Sequence, residues 1–137
     1  MQPLHKADDA RYAEKALGSH RLAGSYAFRS LLDARALLVF GSDWPVVSMN
    51  PFEGMAAAVT ARTLDGKTWQ PQNSIAVYEA VAAYTVFPPR AIHRDATLGT
   101  LAPGKLADLV ILKDDPFEVP PDRLGSVRVG QTIVGGK

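Results

Sequence analysis

The sharpest hydrophobic signal in the chain is Leu37–Gly41, five apolar or small residues that run into Ser42, Asp43, Trp44 and Pro45. A continuous apolar run of this kind reads as a strand buried on both faces, as in a parallel sheet under helices. Pro45 has no amide proton to give a ladder, so the strand ends at or before Trp44. Upstream, Asp8–Leu17 makes one or two helical turns around Ala10, Ala13 and Leu17, stopped by Gly18. A stronger helix runs from Arg21 to about Ala34. Ala23, Ala27 and Leu31 share one face of it, with Gly24, Phe28 and Leu32 overlapping. Helix followed by buried strand is half of a βα repeat.

Downstream, Asn50-Pro51-Phe52-Glu53 has the form of a helix start, with a capping side chain, a proline at the first helical position and an acid in the first turn. Phe52, Met55, Ala56 and Val59 continue it as an apolar stripe. Leu64–Asn73 is polar on both sides and holds an Asp-Gly pair, the mark of a surface loop. Ser74 is read as the cap of a further helix with Tyr78, Val81, Ala82 and Thr85 inward, broken by Pro88-Pro89, with a short helix through Ile92. From about Asp95 the pattern changes. Leu98–Lys105 is turn-rich, Leu106–Leu112 reads as a strand, and Lys113–Arg123 is a charged, proline-rich loop. Val127, Val129 and Ile133 mark another strand. The fold class is therefore α/β, βα-like over residues 1–94 and β over residues 95–137.

Composition narrows the function classes. The 137 residues are 47% hydrophobic and 21% charged with a formal net charge of +1, values typical of a globular domain. Mixed signs give no basic face for nucleic acid, and no apolar run nears the ~20 residues of a membrane span. With no apolar leader either, a cytoplasmic protein is expected. The absence of cysteine removes disulfides, thiol nucleophiles and Cys-type zinc sites.

Few residues offer chemistry. Gly99–Lys105 matches the spacing of a phosphate-binding loop, but Leu106 stands where Ser or Thr would reach Mg²⁺, and a strand rather than a helix follows. It is set aside as a chance match. His5, His20 and His93 show no paired metal-ligand spacing; His20 and His93 read as surface residues at helix ends. His5 follows a proline near what reads as the end of a strand. Asp43 lies at the carboxyl end of the buried strand, the edge where α/β folds project catalytic side chains. From position alone it either does so or simply turns the chain.

Phe40–Val46 (FGSDWPV) and Gly99–Pro116 (GTLAPGKLADLVILKDDP) together resemble the carboxyl-terminal part of the metal-dependent amidohydrolase superfamily. The narrower likeness is to amidohydrolase family 3, the YtcJ-like and N-substituted formamide deformylase-like branch. MQPLH, YAEKALG, RSLLDA and TIVGGK fit the same branch in the same order. The resemblance implies the end of a (β/α)8 barrel over residues 1–94 (end of strand seven, strand eight, closing helices). Residues 95–137 would be a segment of a small β-sandwich, the two making a composite domain. It implies a hydrolase of non-peptide C–N bonds, acting on a small amide-type substrate with a divalent metal, zinc above all. Asp43 matches the family aspartate that contacts the metal and acts as general base. His5 matches a position near the substrate.

The family's other metal ligands are absent from this sequence, so no metal is expected to bind this chain tightly by itself, and the isolated chain is expected to be inactive. Self-association through unpaired strands is the expected homotypic contact. The alternative is a truncated, non-catalytic product with a structural or assembly role.

Overall fold

The computed structural model describes all of Met1–Lys137. Six α-helices form in order: α1 (Pro3–Asp9), α2 (Ala13–Leu17), α3 (Phe28–Asp33), α4 (Pro51–Thr60), α5 (Val77–Tyr84) and α6 (Phe87–Ala91). Two strands follow, β1 (Leu109–Leu112) and β2 (Val129–Ile133), paired antiparallel. Single turns of 3₁₀-helix occupy Pro71–Asn73 and longer ones Ser19–Gly24 and Pro121–Ser126.

Helix α4 is the centre of the packing. Asn50 caps it as its sequence predicts, its Oδ1 accepting from the Phe52 amide at 3.0 Å with Pro51 at the first position. Gly54, Met55, Ala57 and Ala58 are buried as well as Phe52, so the buried face is wider than the stripe of large residues. Small residues let α1, α5 and the Pro121–Ser126 turn all approach it. The main core joins Phe28, Leu38, Phe40, Phe52, Met55, Ile75 and Leu124, and three aromatic pairs (Tyr26–Phe28, Phe28–Phe40 and Phe40–Tyr84) meet edge to face within it. Gly54 is the tightest point. A Cβ there would stand 2.2 Å from the Tyr84 hydroxyl and 3.2 Å from Pro3 Cγ. Gly54→Ala is therefore expected to lose about 1–2 kcal/mol, overpacking outweighing the better helix propensity. Urea titration checks it; a gain in stability would show that Tyr84 swings away freely.

Several expectations are corrected. Of Met1–His5 only Met1 and Gln2 are left for the end of a strand, because Pro3 sits at the first position of α1 and the chain is helical from there. Leu37–Asp43 forms no strand of a sheet beyond a single pairing with Met1, and its burial alternates: Leu38 and Phe40 are buried while Leu37 is 46% exposed. The helix expected over Arg21–Ala34 breaks into a 3₁₀ segment and α3, because Tyr26 takes a left-handed φ of +50° and sends its hydroxyl to Asp9. Helix α5 starts three residues after Ser74, with the Ala76 amide donating to the Glu79 carboxylate. Its buried residues are Ala80 and Ala83, and Tyr78 points outward at 65% exposure. The Lys113–Arg123 loop runs into the Pro121–Ser126 turn.

The most enclosed polar side chain is Lys6, only 1% exposed. Its Nζ donates to the Gln70 carbonyl at 3.1 Å and lies 5.8 Å from the centre of the Phe28 ring. Burial pushes its pKa down to about 8. Between about pH 8 and its unfolded value near 10.4, the unfolded chain holds a proton that the folded chain has released. Stability therefore rises with pH across that window, by at most ~1.4 kcal/mol per unit. Tyr26 and Tyr84 act the other way. Their folded pKa values are raised, Tyr84 to about 12, so the folded chain keeps protons that the unfolded one loses. Stability falls again above about pH 10. Melts in denaturant from pH 7 to 11 should show this maximum, and Lys6→Met should remove the rising limb while keeping the falling one.

Candidate active site

Two extended segments set the site. The Met1 amino group donates to the Val39 carbonyl, and the Gly41 amide donates to the Met1 carbonyl at 3.0 Å. Bonds that bracket one residue in this way are the pattern of a parallel pair. Both segments thus run in the same direction and leave by the same edge, one into α1 and His5, the other into Asp43. On its other side the Phe40 amide donates to the Ala83 carbonyl of α5 at 3.0 Å, which ties the segment to the helix.

Asp43 stands where the extended segment turns. Its backbone φ is +56°, a left-handed conformation that Asp tolerates better than most side chains. The Val46 amide closes the turn on the Asp43 carbonyl at 3.0 Å, around a cis Trp44–Pro45 bond. The Asp43 carboxylate is open, with its side chain 56% exposed and the apolar side chains of Trp44, Val46 and Met49 exposed along the same stretch. His5, in the first turn of α1, directs Nε2 toward it, 3.9 Å from Oδ2. Nε2 is wholly covered and has no hydrogen-bond partner.

The structure thus brings together the two residues singled out in the sequence and leaves the other histidines apart, His20 and His93 both being exposed. Lys105 of the phosphate-loop look-alike is tied back, its Nζ donating to the Asp95 carbonyl at 2.7 Å and the Leu98 carbonyl at 3.2 Å. A cavity of about 200 Å³ lies elsewhere, between α1 and α4 beside Thr63 and Asp122. No three His, Asp or Glu side chains are placed to share a metal ion. What the pair offers is one imidazole nitrogen and one carboxylate oxygen, donor types suited to a divalent first-row metal, with His5 Nε2 an orphaned buried polar atom facing the carboxylate. Two donors fall short of the about three that a catalytic zinc draws from protein, so this chain by itself does not make a metal site. Lys6 carries no mark in the sequence; nothing separates it from a surface lysine until the Leu64–Asn73 loop folds over it.

The model of the amidohydrolase family matches residues 1–137. This chain belongs to the amidohydrolase family. Its sequence is 43% identical over 142 residues to Protein LONG AFTER FAR-RED 3 of Arabidopsis thaliana, covering 100% of this chain and 24% of that protein. It is 32% identical to the N-substituted formamide deformylase of Arthrobacter pascens, covering 81% of this chain and 20% of that enzyme. Among solved structures, a metal-dependent hydrolase of Pyrococcus horikoshii superposes with a TM-score of 0.77 and 26% identity, over 88% of this chain and 25% of that one. The amidohydrolase-family chain described here spans about a quarter or less of the length of these relatives. It shares the mixed helix-and-strand fold of the matching part of the Pyrococcus horikoshii structure. None of its helices is long and apolar enough to cross a membrane.

Proposed function

We propose that this chain supplies the general-base edge of an active site that hydrolyses non-peptide C–N bonds, with Asp43 as the base. The observation that carries the reading is the placement of Asp43. Its carboxylate is solvent-open, sits at the end of an extended segment in a parallel pair, and faces the covered nitrogen of His5. The N-substituted formamide deformylase among the relatives supports an amide-type substrate. On this reading residues 1–94 close a (β/α)8 barrel and residues 95–137 belong to a small β-sandwich. The remaining ligands of the metal site would come from parts of the barrel outside this chain, and the chain alone is inactive.

A bound divalent metal, zinc on this reading, supplies Lewis-acid activation of water and of the substrate carbonyl. Asp43 would be one of the residues that hold it. In the reaction Asp43 takes the proton of the attacking water onto its carboxylate and later returns it to the leaving nitrogen. The carbonyl carbon gains the water oxygen, the C–N bond breaks, and a carboxylic acid and an amine result. On this reading the exposed part of the His5 side chain, beside the carboxylate, is a substrate contact. The test is hydrolysis of an N-substituted formamide by a full-length protein carrying this segment, with and without the Asp43 carboxylate. Turnover that does not need Asp43 overturns the assignment.

A further inference from the structure

We propose that His5 is a positioning residue for the general base, its Nε2–H donating to Oδ2 of Asp43 so that Oδ1 is left to take the proton of the attacking water. The proposal rests on the reading of Asp43 as that base and adds what aims it. Three observations carry it. The first is that His5 Nε2 is wholly covered and has no hydrogen-bond partner. A polar atom left in this state costs stability, and with no surface open to water it needs an acceptor from the protein. The second is direction. Among the lysines, arginines and histidines of the chain, His5 alone reaches the Asp43 carboxylate, with Nε2 3.9 Å from Oδ2. That is about 1 Å beyond a direct hydrogen bond. Bonds of this kind often stand long before substrate binds and tighten in the complex. The third is the difference in freedom between the two groups.

His5 is the fixed partner. It lies in the first turn of α1, its amide donating to the Gln2 carbonyl at 3.1 Å. Leu4 and Ala7 on the same helix are buried with Ala57 of α4, and Lys6 is tied to the Gln70 carbonyl at 3.1 Å. Asp43 is the free partner. Its backbone is set by the turn, the Val46 amide donating to its carbonyl at 3.0 Å, but its side chain is 56% exposed. A solvated carboxylate on a fixed backbone visits several rotamers, and a base works only from the one that faces the water it deprotonates. One hydrogen bond from a rigid imidazole selects that rotamer, and a swing of the carboxylate by about 1 Å closes the gap. A neutral imidazole with its proton on Nε2 is enough for this. His5 neither takes nor gives up a proton in the reaction.

The test is a double-mutant cycle in the full-length enzyme, on the N-substituted formamide used for Asp43 and at enzyme concentrations that detect rates ~10⁴-fold below the parent. His5→Phe keeps a ring for the substrate to meet and removes the donor. It should lower kcat about 10–10²-fold, because a misplacement near 1 Å costs up to that much, and leave KM within about threefold. His5→Gln carries an N–H at the distance of Nε2 and should restore kcat to within about threefold of the parent. In the Asp43→Asn background His5→Phe should change kcat less than about twofold, since a residue acting through Asp43 then has no base to aim. A raised KM with kcat unchanged makes His5 a substrate contact alone and overturns the proposal. An equal loss of kcat in both backgrounds also overturns it, as does a His5→Gln enzyme no faster than His5→Phe. Parent-like activity of Asp43→Asn is a separate failure, seen without touching His5: it removes the base itself and the proposal with it. Should His5→Phe fail to fold, His5→Gln is compared with His5→Asn, whose amide is one carbon too short to reach Oδ2. The Gln enzyme should have the higher kcat, and equal kcat in the two overturns the proposal.

Discussion

Replacing Asp43 with Asn in a full-length enzyme is expected to lower kcat by at least ~10², because a positioned general base contributes about 10²–10⁴. The substitution is well suited to the question. Asn has the same shape as Asp and accepts the left-handed φ of +56° at this position, so the backbone turn survives. The side chain is more than half exposed, so loss of its charge leaves little buried polarity unsatisfied. Thermal melting of the variant should match that of the parent within a degree or two. Metal content then separates the two roles given to Asp43. Full metal with low kcat identifies the base; lost metal identifies the ligand. An activity within a few-fold of the parent at neutral pH would remove Asp43 from the chemistry.

How far the sequence reveals this site depends on which forces act locally. The cap on α4 is local chemistry, Asn50 and Pro51 acting on their own helix, and it is read directly from the residues. The turn after Phe40 is equally legible, since Pro45 ends any strand and places Asp43 at its edge. The α1 start is misread because a proline after two residues serves a strand end and a helix first turn equally well, and only the Met1–Phe40 pairing shows where extension stops. The break at Tyr26 is tertiary. It follows from a hydroxyl reaching Asp9 in another helix, which no periodicity within Arg21–Ala34 encodes. The inward face of α5 is set by Gly54 and the Tyr84 ring rather than by the largest residues of its own stripe. The approach of His5 to Asp43 is likewise invisible in spacing, since it needs two parallel segments to meet first. The family resemblance supplies what periodicity lacks at both residues.

The purified 137-residue chain is expected to self-associate and to bind an apolar dye. Its helical part has a core, with Phe28, Ala58, Ala80, Ala83 and Leu124 completely covered. Leu124 and Val127 tie the carboxyl-terminal part to this core, but most of the β1–β2 sheet lies outside it. Strands β1 and β2 form a two-stranded sheet, a unit marginal in water without a covered face. Val110, Ile111 and Val129 are each about half exposed, and Leu101 and Val134 more so. Adjacent positions alternate across the sheet, so Val110 and Ile111 place apolar surface on both faces. Around Asp43, Trp44, Val46 and Met49 add a second exposed stretch. A bulky side chain left fully exposed forgoes ~1.5–3 kcal/mol of burial. Half-exposed side chains forgo about half as much, and several together rival a domain's ~5–15 kcal/mol of stability. Both outer edges of the sheet are open, and an open edge recruits another chain through its backbone as well as its side chains. Size-exclusion chromatography with dye fluorescence should therefore show dye-positive oligomers. Lysine at both Val110 and Ile111 should shift them toward monomer, because a charge on each face opposes stacking and edge pairing. A dye-negative monomer with a single sharp melt would mean that the sheet is stable with its faces in water. The reading of residues 95–137 as part of a larger β-sandwich would then lose its physical support.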